Sequence, residues 1–216
     1  MSARPVIEIV DSPATVPPAA WDRLAGGHPL LSHAFLHALH ESGSACEDTG
    51  WAPRYLLLRD GTELRGALPL YLKSHSYGEY VFDWAWADAW SRAGRHYYPK
   101  LLSAIPFTPV TGPRVLAPDA ASRALLVHAA LQHADHLGDP VALRLEYAQR
   151  VAGADGREER LAHGEDQVAL GAGRHEPREV GLGGRQPPPG AALARDLDRL
   201  RQHGEGVEFR IPRRPP

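Results

Sequence analysis

Apolar and polar positions alternate over residues 6–10 (VIEIV), with β-branched side chains, which is the two-residue period of a strand. The period then lengthens. Thr15 can cap a short helix that carries Pro17 and Pro18 in its first turn and stops at Gly26 and Gly27. Ser32 opens a second helix with Phe35, Leu36 and Leu39 on one face and a stop at Gly43. Residues 55–59 and 64–73 read as two strands joined at Asp60-Gly61, a strong hairpin signal. Residues 81–92 space Trp and Ala as a helix does, closed by Gly94. Residues 107–116, interrupted by Pro109 and Pro113, suit only an edge or irregular strand. Asp119 begins a helix that reaches Leu137 and stops at Gly138, and residues 141–147 (VALRLEY) form a last strand. The order β-α-α-β-β-α-β-α-β predicts an α/β fold, a mixed sheet with helices on its faces.

That pattern ends near residue 148. Of the 16 aromatic residues only Phe209 lies beyond it, whereas 12 of the 22 Arg, 11 Gly and 7 Pro do. So few large apolar side chains cannot offset an ordering cost of roughly 1–2 kcal/mol per residue. The chain therefore divides into an ordered part over 1–147 and an Arg/Gly/Pro-rich tail over 148–216, natural disorder or the out-of-frame product of a GC-rich gene. The break in composition favours the frameshift, which would leave the fold incomplete.

Charge and cysteine content narrow the setting. A net charge of −2 gives no reason to expect nucleic acid or an anionic membrane as partner. The single Cys46 excludes an intramolecular disulfide and suits a reducing cytoplasm. The N-terminus MSARPVIEIV has no long apolar h-region and no stretch reaches about 18 apolar residues, so neither a signal peptide nor a spanning helix is expected.

The chemistry concentrates in residues 71–114. Three of the five Trp, most of the Tyr and both Lys are interleaved there with His75, Glu79, Asp83, Asp88 and His96. Rigid rings beside titratable groups suit a concave site, where rings bury a ligand and a few polar groups orient it. The block predicts a pocket wall in which Ser74, His75, Tyr77, Glu79, Asp83, Trp84 and Tyr97 converge.

The same block carries a resemblance. SHSYGEYVFDWAWADAW and YYPKLLSAIPFTPVTGPR, with the upstream HPLLSHAFLHALHESGSA, GW-x-P-R-Y-L-L-L and GALPLYLK, resemble the predicted N-acyltransferases of the FemAB-like branch of the GNAT superfamily. That family is described as peptidoglycan biosynthesis or recognition proteins, and the likeness covers about residues 5–147. It implies a GNAT-like acyltransferase fold, an amine acceptor, and acyl-CoA or an acyl carrier as co-substrate; the residues themselves give no reason to expect a bound cofactor or a metal.

Acyl transfer asks for a base at the amine, hydrogen-bond donors at the developing oxyanion, and alignment of the two reactants. His75 and Glu79 are the candidate bases, four apart in a turn that contains Gly78. Asp83 and Asp88 could hold an acceptor ammonium, Lys100 and Arg114 a carboxylate or phosphate, and Ser74, Tyr77, Trp84 and Tyr97 the rest of the substrate. Each has a plainer reading, a polar residue bracing an aromatic loop. The rival function is a non-catalytic module that binds a glycan or peptide on the same rings.

Three further motifs carry less. Arg178 to Gly183 fits the letters of a GNAT pyrophosphate loop, but no strand precedes it and Pro187-Pro188-Pro189 follows where a helix must open. His33, His37 and His40 share one helix face, yet no carboxylate or Cys completes a metal set. A Ser nucleophile lacks its G-x-S-x-G elbow, and Cys46 lies in a polar run with no base beside it.

Overall fold

The computed structural model describes residues 5–80, 83–94, 96–137, 142–145, 170–171 and 208–210. The sequence expectations for Gly138, for the Arg178–Gly183 loop and for most of residues 146–216 lie outside that set.

Strand β1 (Val6–Val10) pairs antiparallel with β3 (Tyr55–Asp60), and β3 pairs with β4 (Glu63–Leu68), so the expected hairpin forms. Its two-residue turn is Gly61-Thr62, with Gly61 at a φ of 59°. β3 is central, and its YLLL run is buried on both faces, which explains why it reads as continuous apolar sequence instead of alternating. Tyr55 and Leu57 face one core with Trp21, Leu31 and Leu36. Leu56 and Leu58 face the other, with Leu126, Ala129, Ala130 and Ala134.

Helix α1 (Pro18–Ala25) and helix α2 (His33–Glu41) close the first core. Gly26 ends α1 in the left-handed conformation, and the Ser32 hydroxyl accepts from the Phe35 N–H at the head of α2. Thr15 does not cap α1. It lies in a short 3-10 turn headed by Ser12, and Pro17 precedes the helix. Helix α4 (Ala120–His136) closes the second core, with the Asp119 carboxylate accepting from the Ser122 N–H at 2.7 Å.

The run read as one strand over 64–73 is two strands in two sheets. Pro69 cannot donate to a ladder, so β4 ends at Leu68 and β5 (Tyr71–Lys73) starts a second sheet. The single mixed sheet expected from the sequence is therefore a pair, with orders β4-β3-β1-β9 and β2-β5-β6-β7-β8. Strands β2 (Trp51–Pro53) and β6 (Lys100–Ser103), which the pattern did not indicate, flank β5 antiparallel. β7 (Ala142–Leu145) runs parallel to β6 after the α4 crossover. Beyond residue 148, β8 (Leu170–Gly171) pairs with β7 and β9 (Glu208–Arg210) runs parallel to β1. The architecture is mixed α/β. The excursion from β5 to β6 holds helix α3 (Trp84–Arg92) and most of the aromatic block.

Candidate functional site

The chain has two lysines, and the β5–β6 register sets them opposite one another. Lys73 and Lys100 are direct cross-strand partners whose side chains have no solvent exposure. Like charges so placed destabilise a ladder unless anions lie between them. Glu79 and Asp83, from the loop that leaves β5, supply those anions and leave the cluster neutral.

Lys100 Nζ donates to Glu79 Oε2 at 2.6 Å, to Asp83 Oδ2, and to Ser76 Oγ at 3.1 Å. An ammonium has three donors, and these contacts use all three. Lys100 is thus not poised to receive a ligand carboxylate, because it already holds two from the protein. Lys73 Nζ donates to the Tyr77 carbonyl at 3.0 Å, lies 3.7 Å from the Trp51 ring centroid, and sits 4.0 Å from Glu79 Oε1.

Asp83 precedes α3, where an N-cap carboxylate belongs, but it makes no capping bond. It turns inward, accepting from Ser76 Oγ at 2.5 Å and from the Tyr97 hydroxyl at 2.8 Å. Burial pushes its carboxyl up, but the hydrogen bonds from Lys100, Ser76 and Tyr97 outweigh that and hold the pKa down to about 2. Glu79 moves the other way. Burial raises its pKa, and the attraction of Lys100 offsets this only in part, with the Asp83 charge adding to the rise. Glu79 Oε1 is buried and has no hydrogen-bond partner among the described residues.

His75 is half-buried, and its pKa is lowered by burial and then by the Lys73 charge. Its Nδ1 accepts from the Tyr77 N–H at 3.2 Å, so the neutral ring carries its proton on Nε2. That edge abuts Gly50, where a Cβ would lie 2.4 Å from Nε2. In this conformation His75 presents a donor, not an acceptor.

Of the residues singled out in the sequence, the structure brings Glu79, Asp83, Tyr97 and Lys100 into one cluster, with His75 and Tyr77 beside it. The others stand apart. Ser74 is exposed, Trp84 is 66% exposed, and Asp88 pairs with Arg92 at 2.9 Å along the exposed face of α3. Arg114 is buried and staples its own loop, donating to the Val110 carbonyl at 2.8 Å. Where a pocket wall was expected, the structure has a sealed ionic knot under an aromatic surface. Lys73, Ser76, Tyr98 and Trp51 belong to the knot and were not singled out. The signal was available for the lysines, since two Lys in a chain with 22 Arg, both next to Tyr-rich sequence, are a compositional oddity.

Two of the three histidines of α2 are committed elsewhere. His33 Nε2 bonds the Pro13 carbonyl at 2.9 Å, His40 Nε2 meets the Tyr55 hydroxyl at 3.1 Å, and His37 lies 4.0 Å from Glu41.

Acyl-CoA, which the resemblance implies, needs free amides at a helix N-terminus for its pyrophosphate. Pro17 and Pro18 head α1, Ser32 and the Asp22 carboxylate take the first amides of α2, and the Asp119 carboxylate takes one at α4, so these three helices do not offer them. None of the described helices is long and apolar enough to cross a membrane.

Comparison with known proteins locates the chain by family. No curated protein and no solved structure matches it. A family model described as FemAB-like, peptidoglycan biosynthesis/recognition, matches residues 12–159, a span that contains the entire lysine–carboxylate knot and strands β2, β5, β6 and β7 of the sheet that carries it. With most of its length matched, this chain belongs to the FemAB-like family of peptidoglycan biosynthesis or recognition proteins.

Proposed function

We propose that the chain acts in N-acyl transfer to an amine on a peptide or glycan acceptor, and that Glu79 takes the proton. The observation that carries this reading is Glu79 itself: a buried carboxylate inside the family segment, with a raised pKa and one oxygen unused. A raised pKa makes a carboxylate a better proton acceptor near neutral pH. In the proposed step the amine nitrogen attacks the acyl carbonyl carbon. The bond from that carbon to its leaving group breaks, and the amine proton passes to Glu79 Oε1. Lys100 and Asp83 position Glu79 without touching the reactants. The acyl donor is a thioester, free or carrier-borne.

The test is turnover of a panel of acyl thioesters with an amine-bearing muropeptide, read by mass spectrometry, for the full chain and its Glu79→Gln and His75→Gln variants. Glu79→Gln should lower kcat by roughly 10²–10⁴ with KM nearly unchanged, and His75→Gln should have the smaller effect. Equal loss in both variants, or loss in neither, would refute the assignment.

A second reading draws on the surface. Tyr77, Tyr80 and Trp84 are 74%, 50% and 66% exposed, while the charged groups beneath them are sealed. Rings outside and charges inside favour a module that recognises a glycan or peptide without chemistry. Saturable muropeptide binding with no product from any donor would select that reading.

A further inference from the structure

Phe107 is the one non-glycine residue with a positive φ, 61°, among the described residues. An L side chain is costly in that region, and such strain persists only where its surroundings hold it. The ring is 42% exposed, so core burial does not hold it there. It lies instead across two neighbours. Its centroid is 5.4 Å from that of Trp51, and a Cβ at Gly78 would fall 2.6 Å from its Cε1. Gly78, at a φ of 80°, is the residue whose missing side chain lets the ring close down.

Around Gly78 two buried polar atoms have no partners among the described residues: Trp51 Nε1, a donor, and Glu79 Oε1, an acceptor on the next residue. They belong to one neighbourhood. A Cβ at Gly78 would be 3.1 Å from Trp51 Nε1, Glu79 is the next residue along, and Lys73 Nζ touches both, over the Trp51 ring and 4.0 Å from Glu79 Oε1. Buried polar groups are rarely left unpaired, and sites that are so left tend to be where a ligand completes the set. One unused donor and one unused acceptor, both near Lys73, are the two functions a secondary amide answers, since its carbonyl accepts and its N–H donates.

We propose that Phe107 is a flap over a peptide-binding site in which Trp51 Nε1 donates to the carbonyl of a ligand amide and Glu79 Oε1 accepts from its N–H. This rests on the reading of Glu79 as an acceptor-side group and extends it to the substrate class, a peptide. Closed, the flap keeps water from the lysine–carboxylate knot. Open, it exposes the atoms that the fold leaves unsatisfied.

The test is titration of the full chain with N-acetyl-alanyl-alanine amide, followed by the Trp51 indole N–H signal in a ¹H–¹⁵N spectrum and assigned by its loss in Trp51→Phe. The signal should move downfield saturably as the indole gains an acceptor. The twin with both alanine nitrogens methylated and a dimethylamide terminus, which has no N–H to give Glu79, should bind about tenfold more weakly. Phe107→Gly relieves the strained φ and removes the ring that competes with the ligand, so it should bind the peptide about tenfold more tightly. An indole signal unmoved in both wild type and Phe107→Gly, or equal binding of the N-methylated twin, would overturn the proposal. The two readings fail separately. Peptide binding at Trp51 without acyl transfer keeps the flap and loses the transferase, and turnover with a silent Trp51 signal does the reverse.

Discussion

Lys73 and Lys100 face each other across the β5–β6 ladder, and this pairing dictates how the loop between them folds. Two ammonium groups side by side and out of water would be prohibitive alone. The intervening segment must therefore return two carboxylates to the same place, which fixes Glu79 near the start of the excursion and Asp83 at the head of α3. The aromatic block is ordered from beneath by charge, with Tyr97 and Tyr98 bracing Asp83 and Ser76 through their hydroxyls.

Removing one ammonium should therefore cost far more than a surface ion pair would. Lys100→Met leaves Glu79 and Asp83 buried against each other, and a loss of about 3–5 kcal/mol is expected in denaturant unfolding. Adding Asp83→Asn to the same chain leaves Glu79 to balance Lys73, removes the uncompensated charge and should recover part of that loss. A single-variant cost near that of an exposed pair, about 0–1 kcal/mol, would show that water reaches the knot.

Local physics made much of this fold readable. β1, α2, α4 with its Asp119 cap and the β3–β4 hairpin follow from periodicity and capping chemistry acting within a few residues. What was not readable depends on partners distant in sequence. β2 and β6 are three and four residues long, too short to show a period, and exist because β5 lies between them. The site divides in the same way. Glu79, Asp83, Tyr97 and Lys100 stood out as polar groups among rings, whereas Ser76 and Lys73 matter only through a register the sequence does not display. Arg114 and Asp88 looked equivalent to the cluster residues by type, but each is satisfied within four residues of itself.

His133 sets an acid-side limit on stability. It is buried on α4 with neither ring nitrogen bonded among the described residues, and burial, then the Arg54 charge, lowers its pKa to about 4. Its folded pKa lies below the unfolded value of about 6.5, so the unfolded chain binds the proton more readily. Stability should be full above pH 6.5 and fall as pH drops toward 4, by on the order of 2 kcal/mol from this group after allowance for solvent screening. Unfolding midpoints measured across that window should show the slope in wild type and a flatter profile in His133→Leu. The same slope in both would assign it to other groups.

Gly66 marks how closely α4 lies on β4. A Cβ there would be 2.9 Å from Leu126 Cδ1 and 3.3 Å from the Leu116 carbonyl oxygen, and the Leu126 side chain is itself fully buried. Gly66→Ala should destabilise the chain by about 1–3 kcal/mol through overpacking, although alanine is otherwise a mild replacement. Pairing it with Leu126→Val, which gives the new methyl room, should cost less than the sum of the two single changes in a double-mutant cycle. Strict additivity would mean that the helix shifts as a unit instead.

Tyr97 and Trp84 bracket the difference between holding the site and using it. The Tyr97 hydroxyl donates to Asp83 inside the knot, and losing it in Tyr97→Phe leaves a buried carboxylate short of one donor. A loss of about 1–3 kcal/mol follows. Trp84, 66% exposed at the start of α3, should tolerate Trp84→Ala within about 0.5 kcal/mol in the same unfolding assay. In binding the order reverses. An exposed ring contributes to ground and transition states alike, so Trp84→Ala should raise KM or Kd for a muropeptide while leaving kcat in place. If Trp84→Ala alters neither stability nor binding, the exposed rings of the loop are not the ligand-facing surface, and recognition passes to the face beneath Phe107.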